Sequence, residues 1–216
     1  AGGDAGAFYA QQTLAQLIAF STPESPDNAL QQTATIDETV QKPTNNPDQA
    51  GASGPDGSLD QGSVQATTTI RCVRIEDEPR FGYRGLHVDV SRHFRSVDFL
   101  KKQMDAMALF KMNKMHLHLT DAAGWRIQID AYPRLTEFAA WRPEALWKDW
   151  WAGQRLYTQE NSEGAYGGYY TKQDIAELVR YAAERHIELI PEIEMPSHSE
   201  EVLAAYPELG CSGEAY

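Results

Sequence analysis

The chain has 216 residues, 42% of them hydrophobic, and a formal net charge of -12 from 19 basic and 31 acidic residues. That length suffices for one sizeable core, while the charge argues against a nucleic-acid partner, which would need a basic stripe. Two cysteines exclude a disulfide scaffold and an all-cysteine metal site, and no apolar run approaches the roughly 20 residues of a membrane-spanning helix.

The first methionine is Met104, so the genetic start is expected upstream of Ala1. Residues 5–20 read as a helix, with Phe8, Leu14, Leu17 and Ile18 at helical spacing. Residues 21–69 carry seven acids, one base, five prolines and no aromatic residue. Their charge is therefore -6, half of the total. Such a stretch buries too little apolar surface to offset the entropy of ordering, and it is expected to be a flexible insert. Residues 68–75 alternate as a strand, with Ile70, Val73 and Ile75 β-branched, and a turn-rich linker through Pro79 and Gly82 follows.

A strand–helix unit then repeats. Residues 86–90 form a short strand, and Ser96 can cap a helix over 97–112 with Phe99, Met104, Met107 and Phe110 inward. Residues 114–120 form the next strand, ending at Asp121. A longer excursion carries Trp141, Trp147, Trp150 and Trp151. Thr171 with Asp174 resembles a capping box for a helix to about Arg185, with Ile175, Leu178, Val179 and Ala182 as its apolar stripe. Residues 187–193 form the third strand. This alternation predicts an α/β fold with a parallel sheet. Polar residues gather where the strands end: Asp89, Ser91, Arg92 and His93; Thr120 and Asp121; Glu192, Glu194 and His198. Parallel α/β folds place their sites at that end.

Several groups there could do chemistry. His116 and His118 lie two apart in a strand and share a face. They could bind a metal with Glu192, Glu194 or His198, or sit inside a barrel and bond to neighbouring strands. Arg84, just before the first strand of the series, offers five fixed donors suited to hydroxyls or carboxylates, or a surface ion pair. Asp121 followed by Gly124 and Trp125 places an acceptor beside an aromatic face, as a sugar site needs, although Trp125 could equally be core. Glu194, four residues before His198, could fix the imidazole's tautomer. There is no phosphate-binding glycine fingerprint and no nucleophile elbow.

Three strings are specific: RGLHVDVSRHF at 84–94, KMNKMHLHLTD at 111–121 with GWR at 124–126, and IPEIEMPSH at 190–198. Together they resemble the family 20 glycoside hydrolases, the β-N-acetylhexosaminidases, from about Ile70 to Tyr216. Residues 6–14 also resemble the last helix of the small α+β domain that precedes the barrel in that family. The resemblance implies a (β/α)8 TIM barrel, here only its first three or so units, over 84–216. Residues 1–20 would end the preceding α+β domain, 21–69 would be the insert, and 70–83 the last strand and linker.

It further implies hydrolysis of terminal β-linked N-acetylglucosamine or N-acetylgalactosamine with retention. The substrate's own acetamido oxygen attacks the anomeric carbon, an exception to the two-carboxylate scheme. An adjacent Asp-Glu pair assists, with no metal or organic cofactor. The implied partners are N-acetylhexosamine-containing glycans, and the implied location is secreted, periplasmic or cell-surface. Arg84 is similar to the family arginine that holds the sugar's hydroxyls 3 and 4, Asp121 to an acid near the catalytic centre, and His198 to the histidine near the general acid. Glu194 stands where the family has that histidine's acidic partner.

Ala122-Ala123 departs from a usual Asp-Gln, and Ser197 from a usual glycine, which would alter the backbone before His198. No Gly-Gly-Asp-Glu string occurs. A barrel typically takes ~250 residues, so the remainder of the barrel is expected outside these residues and the isolated chain is expected to be inactive. An inactive sugar-binding fragment and a metal-dependent barrel hydrolase using His116 and His118 are the competing readings. Whether Cys72 and Cys211 pair is left open.

Overall fold

The computed structural model describes residues 3–20, 33–36 and 68–214. The chain divides into two compact units, Thr13–Glu78 and Ala1–Gln12 with Pro79–Tyr216. Helix α1 (Asp4–Phe20) opens the chain. In the first unit, strand β1 (Thr33–Ile36) pairs antiparallel with β2 (Thr68–Arg71), Thr33 opposite Arg71. Strand β1 stands inside the segment expected to be a flexible insert. Its Thr33, Thr35 and Ile36 are β-branched and find a partner across the ladder. The rest of that segment, 21–32 and 37–67, lies outside the described residues. The strand expected over 68–75 ends at Arg71, where β1 begins and pairing runs out. Val73 and Ile75 are exposed, and so are the thiols of Cys72 and Cys211, both free.

The second unit is built on a three-stranded parallel sheet in the order β3 (Gly85–Asp89), β4 (Lys114–His118), β9 (Glu188–Glu192). Helix α2 (Val97–Leu109) joins the first two strands. The excursion after β4 contains β5 (Thr120–Asp121) hairpinned to β6 (Gly124–Trp125), and α3 (Arg134–Glu137). Strand β7 (Trp141–Arg142) pairs with β8 (Tyr166–Gly167), with α4 (Trp147–Ala152) between them. Helix α5 (Lys172–Ala183) leads into β9, and α6 (Glu200–Ala205) follows it.

Ser96 caps α2 by accepting the Phe99 N–H. The expected capping box is present at α5, where Thr171 and Asp174 satisfy each other's amides. Helix α2 stops three residues before the expected end. Lys111 takes a left-handed φ of 56°, and Phe110 is thrown off the apolar stripe to 72% exposure. Val179 on α5 is also exposed rather than inward.

The period-2 geometry of the strands splits the sheet into two faces. Leu86, Val88, Met115, Leu117 and Leu189 face the helices and pack with Leu100, Met104, Met107, Leu178 and Ala182. The other face carries His87, Asp89, Lys114, His116, His118, Glu188 and Glu192, in register across the three strands. This polar face and its carboxyl end position the candidate site.

Candidate active site

Asp121 is the centre. It follows β4 by three residues, is 2% exposed, and each of its oxygens is engaged. Oδ1 accepts the Ala122 N–H at 2.7 Å and lies 3.2 Å from His198 Nδ1. Oδ2 lies 2.7 Å from Arg92 Nη2 and 3.0 Å from His118 Nε2. Ser91 Oγ bridges the carbonyl oxygens of Gly124 and Asp121 at 2.8 and 3.1 Å, pinning the hairpin to the end of β3.

Arg92 is held by Asp89, whose Oδ1 accepts the Ser91 and Arg92 amides at 3.0 Å and whose Oδ2 accepts from Arg92 Nη1 at 2.9 Å. The guanidinium is therefore aimed before any ligand arrives. His93, on the same loop, rests its ring against Tyr166 instead.

Behind Asp121, one carboxylate oxygen gathers three imidazoles. Glu192 Oε2 lies 2.7 Å from His116 Nε2, 2.8 Å from His118 Nδ1 and 3.4 Å from His87 Nε2. Burial alone would lower the His118 pKa, but hydrogen bonds to Asp121 and Glu192 outweigh it and raise the pKa above the ordinary imidazole value. Burial likewise opposes ionisation of Glu192, yet the hydrogen bond and charge of His118 hold its carboxyl below the usual range. His118 thus bridges two acids from different strand ends.

Among the described residues, His87, His118 and Glu192 are the group whose ligand atoms lie within 4.8 Å of one another, close enough to share a metal ion. The expected pair, His116 with His118, is not that group; His87 on β3 takes the place of His116. All three imidazoles lie within ion-pair distance of Glu192 across the strands.

Two buried arginines hold the loops around this cluster. Arg126 donates Nε to Val90 O at 3.1 Å, Nη2 to Ser91 O at 2.7 Å, and Nη1 to Gly168 O at 3.0 Å and to Ala140 O. Arg142 donates to the carbonyls of Arg92, Ala123, Glu144 and Ala145 at 2.8 to 3.3 Å. Both are fully buried. Burial, then repulsion from Arg142, brings Arg126 down to about 10, still cationic at neutral pH. Gly124 is required here, because a Cβ would sit 2.4 Å from the Arg126 guanidinium.

The structure redistributes the residues singled out in the sequence. Asp121 and His198 come together. Glu194 does not pair with His198: its amide donates to Thr120 Oγ1 at 2.8 Å, and Asp121 is the imidazole's acidic partner. The strained residue in that turn is His198 itself, with φ 54°, and not Ser197. Arg84 lies at the opposite, amino-terminal end of the sheet. It donates Nε to Lys111 O and Nη1 to Phe81 O, each at 2.7 Å, with Tyr9 below its guanidinium. A five-residue strand at about 3.3 Å per residue separates the two ends by roughly 16 Å. The guanidinium at Asp121 is Arg92, and the signal for it was its position after a strand rather than before one. Trp125 is 4% exposed, packs with Leu135 and Ala139, and donates its indole N–H to Ile127 O. It is core and not a sugar platform.

A model of the glycosyl hydrolase family 20 catalytic domain matches residues 81–216. A β-hexosaminidase of Porphyromonas gingivalis is 46% identical over 144 residues, which cover 66% of this chain and 16% of that protein. One from Akkermansia muciniphila is 44% identical over 142 residues, 66% of this chain and 26% of that protein. The chain thus spans about a quarter or less of these relatives. A Vibrio harveyi family 20 exo-β-N-acetylglucosaminidase, solved with N-acetylglucosamine, superposes with a TM-score of 0.66 at 30% identity, over 97% of this chain and 25% of that one. The Streptomyces coelicolor family 20 β-N-acetylhexosaminidase gives 0.55 at 43% identity, over 70% and 27%.

Proposed function

Because the chain belongs to glycosyl hydrolase family 20, a TIM-barrel family of glycosidases, we propose that its protein removes terminal β-linked N-acetylglucosamine or N-acetylgalactosamine from glycans, with retention and with the substrate's acetamido group as nucleophile. In this reading, residues 84–214 build one wall of the pocket for the terminal sugar. Helix α1 and the β1–β2 pair end a small α+β domain before the barrel. The protein works outside the cytoplasm, in the periplasm, at the cell surface or secreted.

The observation that carries this is the Asp121 cluster at the carboxyl end of the parallel strands. Arg92, pre-aimed by Asp89, presents guanidinium donors to sugar hydroxyls. Asp121 holds Arg92 and the His198 imidazole on one carboxylate. His198, with a half-exposed side chain, stands at the mouth where a catalytic acid would need a partner. His118 and Glu192 keep Asp121 from turning. No adjacent Asp-Glu pair follows β3, β4 or β9, so the chain by itself binds sugar without turning it over.

Calorimetry with N-acetylglucosamine tests the site. Millimolar binding that is lost in Arg92→Ala and kept in Arg84→Ala is the expected result. No heat at millimolar sugar, or loss in Arg84→Ala alone, overturns the assignment. Robust turnover of a chromogenic N-acetylglucosaminide by the 216 residues would overturn the statement about the missing acid pair.

A further inference from the structure

Three imidazoles and one carboxylate crowd the polar face of the parallel sheet. Register places them: His87 lies beside His116 on the next strand, and His118 lies beside Glu192 on the strand after. Alternation turns all four side chains the same way. The rings of His87 and His116 meet edge-on at 4.7 Å, and those of His87 and His118 lie 5.6 Å apart. A polar cluster that serves stability alone gives each buried atom a hydrogen-bond partner of its own. Here three ring nitrogens converge on the single oxygen Glu192 Oε2. His118 Nδ1, though 2.8 Å from that oxygen, is buried without a well-directed hydrogen bond among the described residues.

Nitrogen and oxygen donors that converge on one point are what a metal ion requires. The ligand atoms of His87, His118 and Glu192 all lie within 4.8 Å of one another. In a tetrahedral zinc site, bonds of about 2.0–2.1 Å set neighbouring ligand atoms roughly 3.4 Å apart. His87 Nε2 and Glu192 Oε2 already stand at 3.4 Å. The 2.8 Å between His118 Nδ1 and Glu192 Oε2 has to open by only about 0.6 Å. The far side of His118 is arranged as in such sites: a metal-bound imidazole offers its other ring nitrogen to a carboxylate, and Nε2 lies 3.0 Å from Asp121 Oδ2. The donor set decides the metal. Two imidazoles and a carboxylate suit zinc and its transition-metal neighbours, whereas calcium and magnesium call for oxygen ligands. The side chains of His87 and Glu192 are exposed to 52% and 28%, so an ion can enter from the polar face.

We propose that His87, His118 and Glu192 bind a divalent transition-metal ion of the zinc type, which ties β3, β4 and β9 together from their polar face. The ion is a structural tie and takes no step in the sugar chemistry. The site stands on the geometry of the sheet face and does not depend on the sugar-pocket reading.

The test titrates zinc into the metal-free 216-residue chain, without a histidine tag, by calorimetry. One ion per chain at micromolar affinity or tighter is expected, with a urea midpoint that rises as zinc is added and no heat from magnesium. His87→Ala, at an exposed position, is expected to weaken zinc binding at least about tenfold and to abolish the rise in midpoint, and His93→Ala to change neither. On the unaltered chain, zinc should shift the NMR ring signals of His87 and His118 and leave those of His93 and His186 in place, a readout that needs no variant. No stoichiometric binding at millimolar zinc overturns the site. So does zinc that binds equally well after His87→Ala, held instead by His116 or by the exposed thiols of Cys72 and Cys211. Magnesium that binds as tightly as zinc overturns it as well.

Discussion

Glu201 offers a stability test worked from the structure. It lies on α6 with 0% exposure, and neither carboxyl oxygen has a hydrogen-bond partner among the described residues. Burial, reinforced by the charges of Asp121 and Glu200 and opposed by its own amide and Arg126, pushes its pKa from 4.5 up to about 8. The folded chain then holds a proton that the unfolded chain releases, so stability falls as pH rises from 4.5 to 8. By linkage, the loss relative to low pH is about 0.8 kcal/mol at pH 5 and about 3.3 kcal/mol at pH 7. Glu201→Gln cannot ionise. Relative to the wild type it should gain about 2.5 kcal/mol between pH 5 and pH 7, read as the change in ΔΔG from urea unfolding at the two pH values. Taking the difference between variant and wild type cancels the titrating groups that are not coupled to Glu201. A ΔΔG that is the same at both pH values within about 0.5 kcal/mol refutes the burial argument.

Two further substitutions probe the scaffold. Glu192→Gln removes one of the three acids, Asp121, Glu192 and Asp89, that raise the His118 pKa, so that pKa should fall in an NMR titration; an unmoved imidazole would refute the bridge. The sign has a consequence for stability: the protonated His118 stabilises the fold below the ordinary imidazole pKa, and that contribution is lost as pH rises through the raised value. Arg126→Met takes the guanidinium donor from four buried carbonyls, those of Val90, Ser91, Ala140 and Gly168, of which Ala140 keeps the Gly168 amide at 3.4 Å. It should cost at least about 3 kcal/mol, seen as a lower urea midpoint, and an unchanged midpoint would show that the loops do not depend on it.

Much of the fold is legible in local pattern. The Ser96 cap and the Thr171–Asp174 capping box are contacts within a few residues, and sequence spacing reports such contacts directly; the strand expected over 114–120 starts where expected and ends at His118. The errors fall where local pattern stops. Phe110 has the right spacing for α2, but the left-handed turn at Lys111 ends the helix first. Val73 and Ile75 alternate as a strand should, yet their partner strand ends at Thr33. Strand β1 hides in a polar stretch, because two threonines and an isoleucine form a strand only when β2 is there to pair with them.

The sequence by itself determined the family, the order of strands and helices, and the strand end at which polar groups collect, since each follows from motif strings and hydrophobic period. Only the tertiary structure decided which of those groups meet. His198 pairs with Asp121, 77 positions away, rather than with Glu194, four positions away. Arg92 and not Arg84 supplies the guanidinium at Asp121, and three imidazoles from β3 and β4 converge on one oxygen of Glu192. Such contacts depend on the register of parallel strands and the path of long loops, which bring distant residues together and leave near neighbours facing apart.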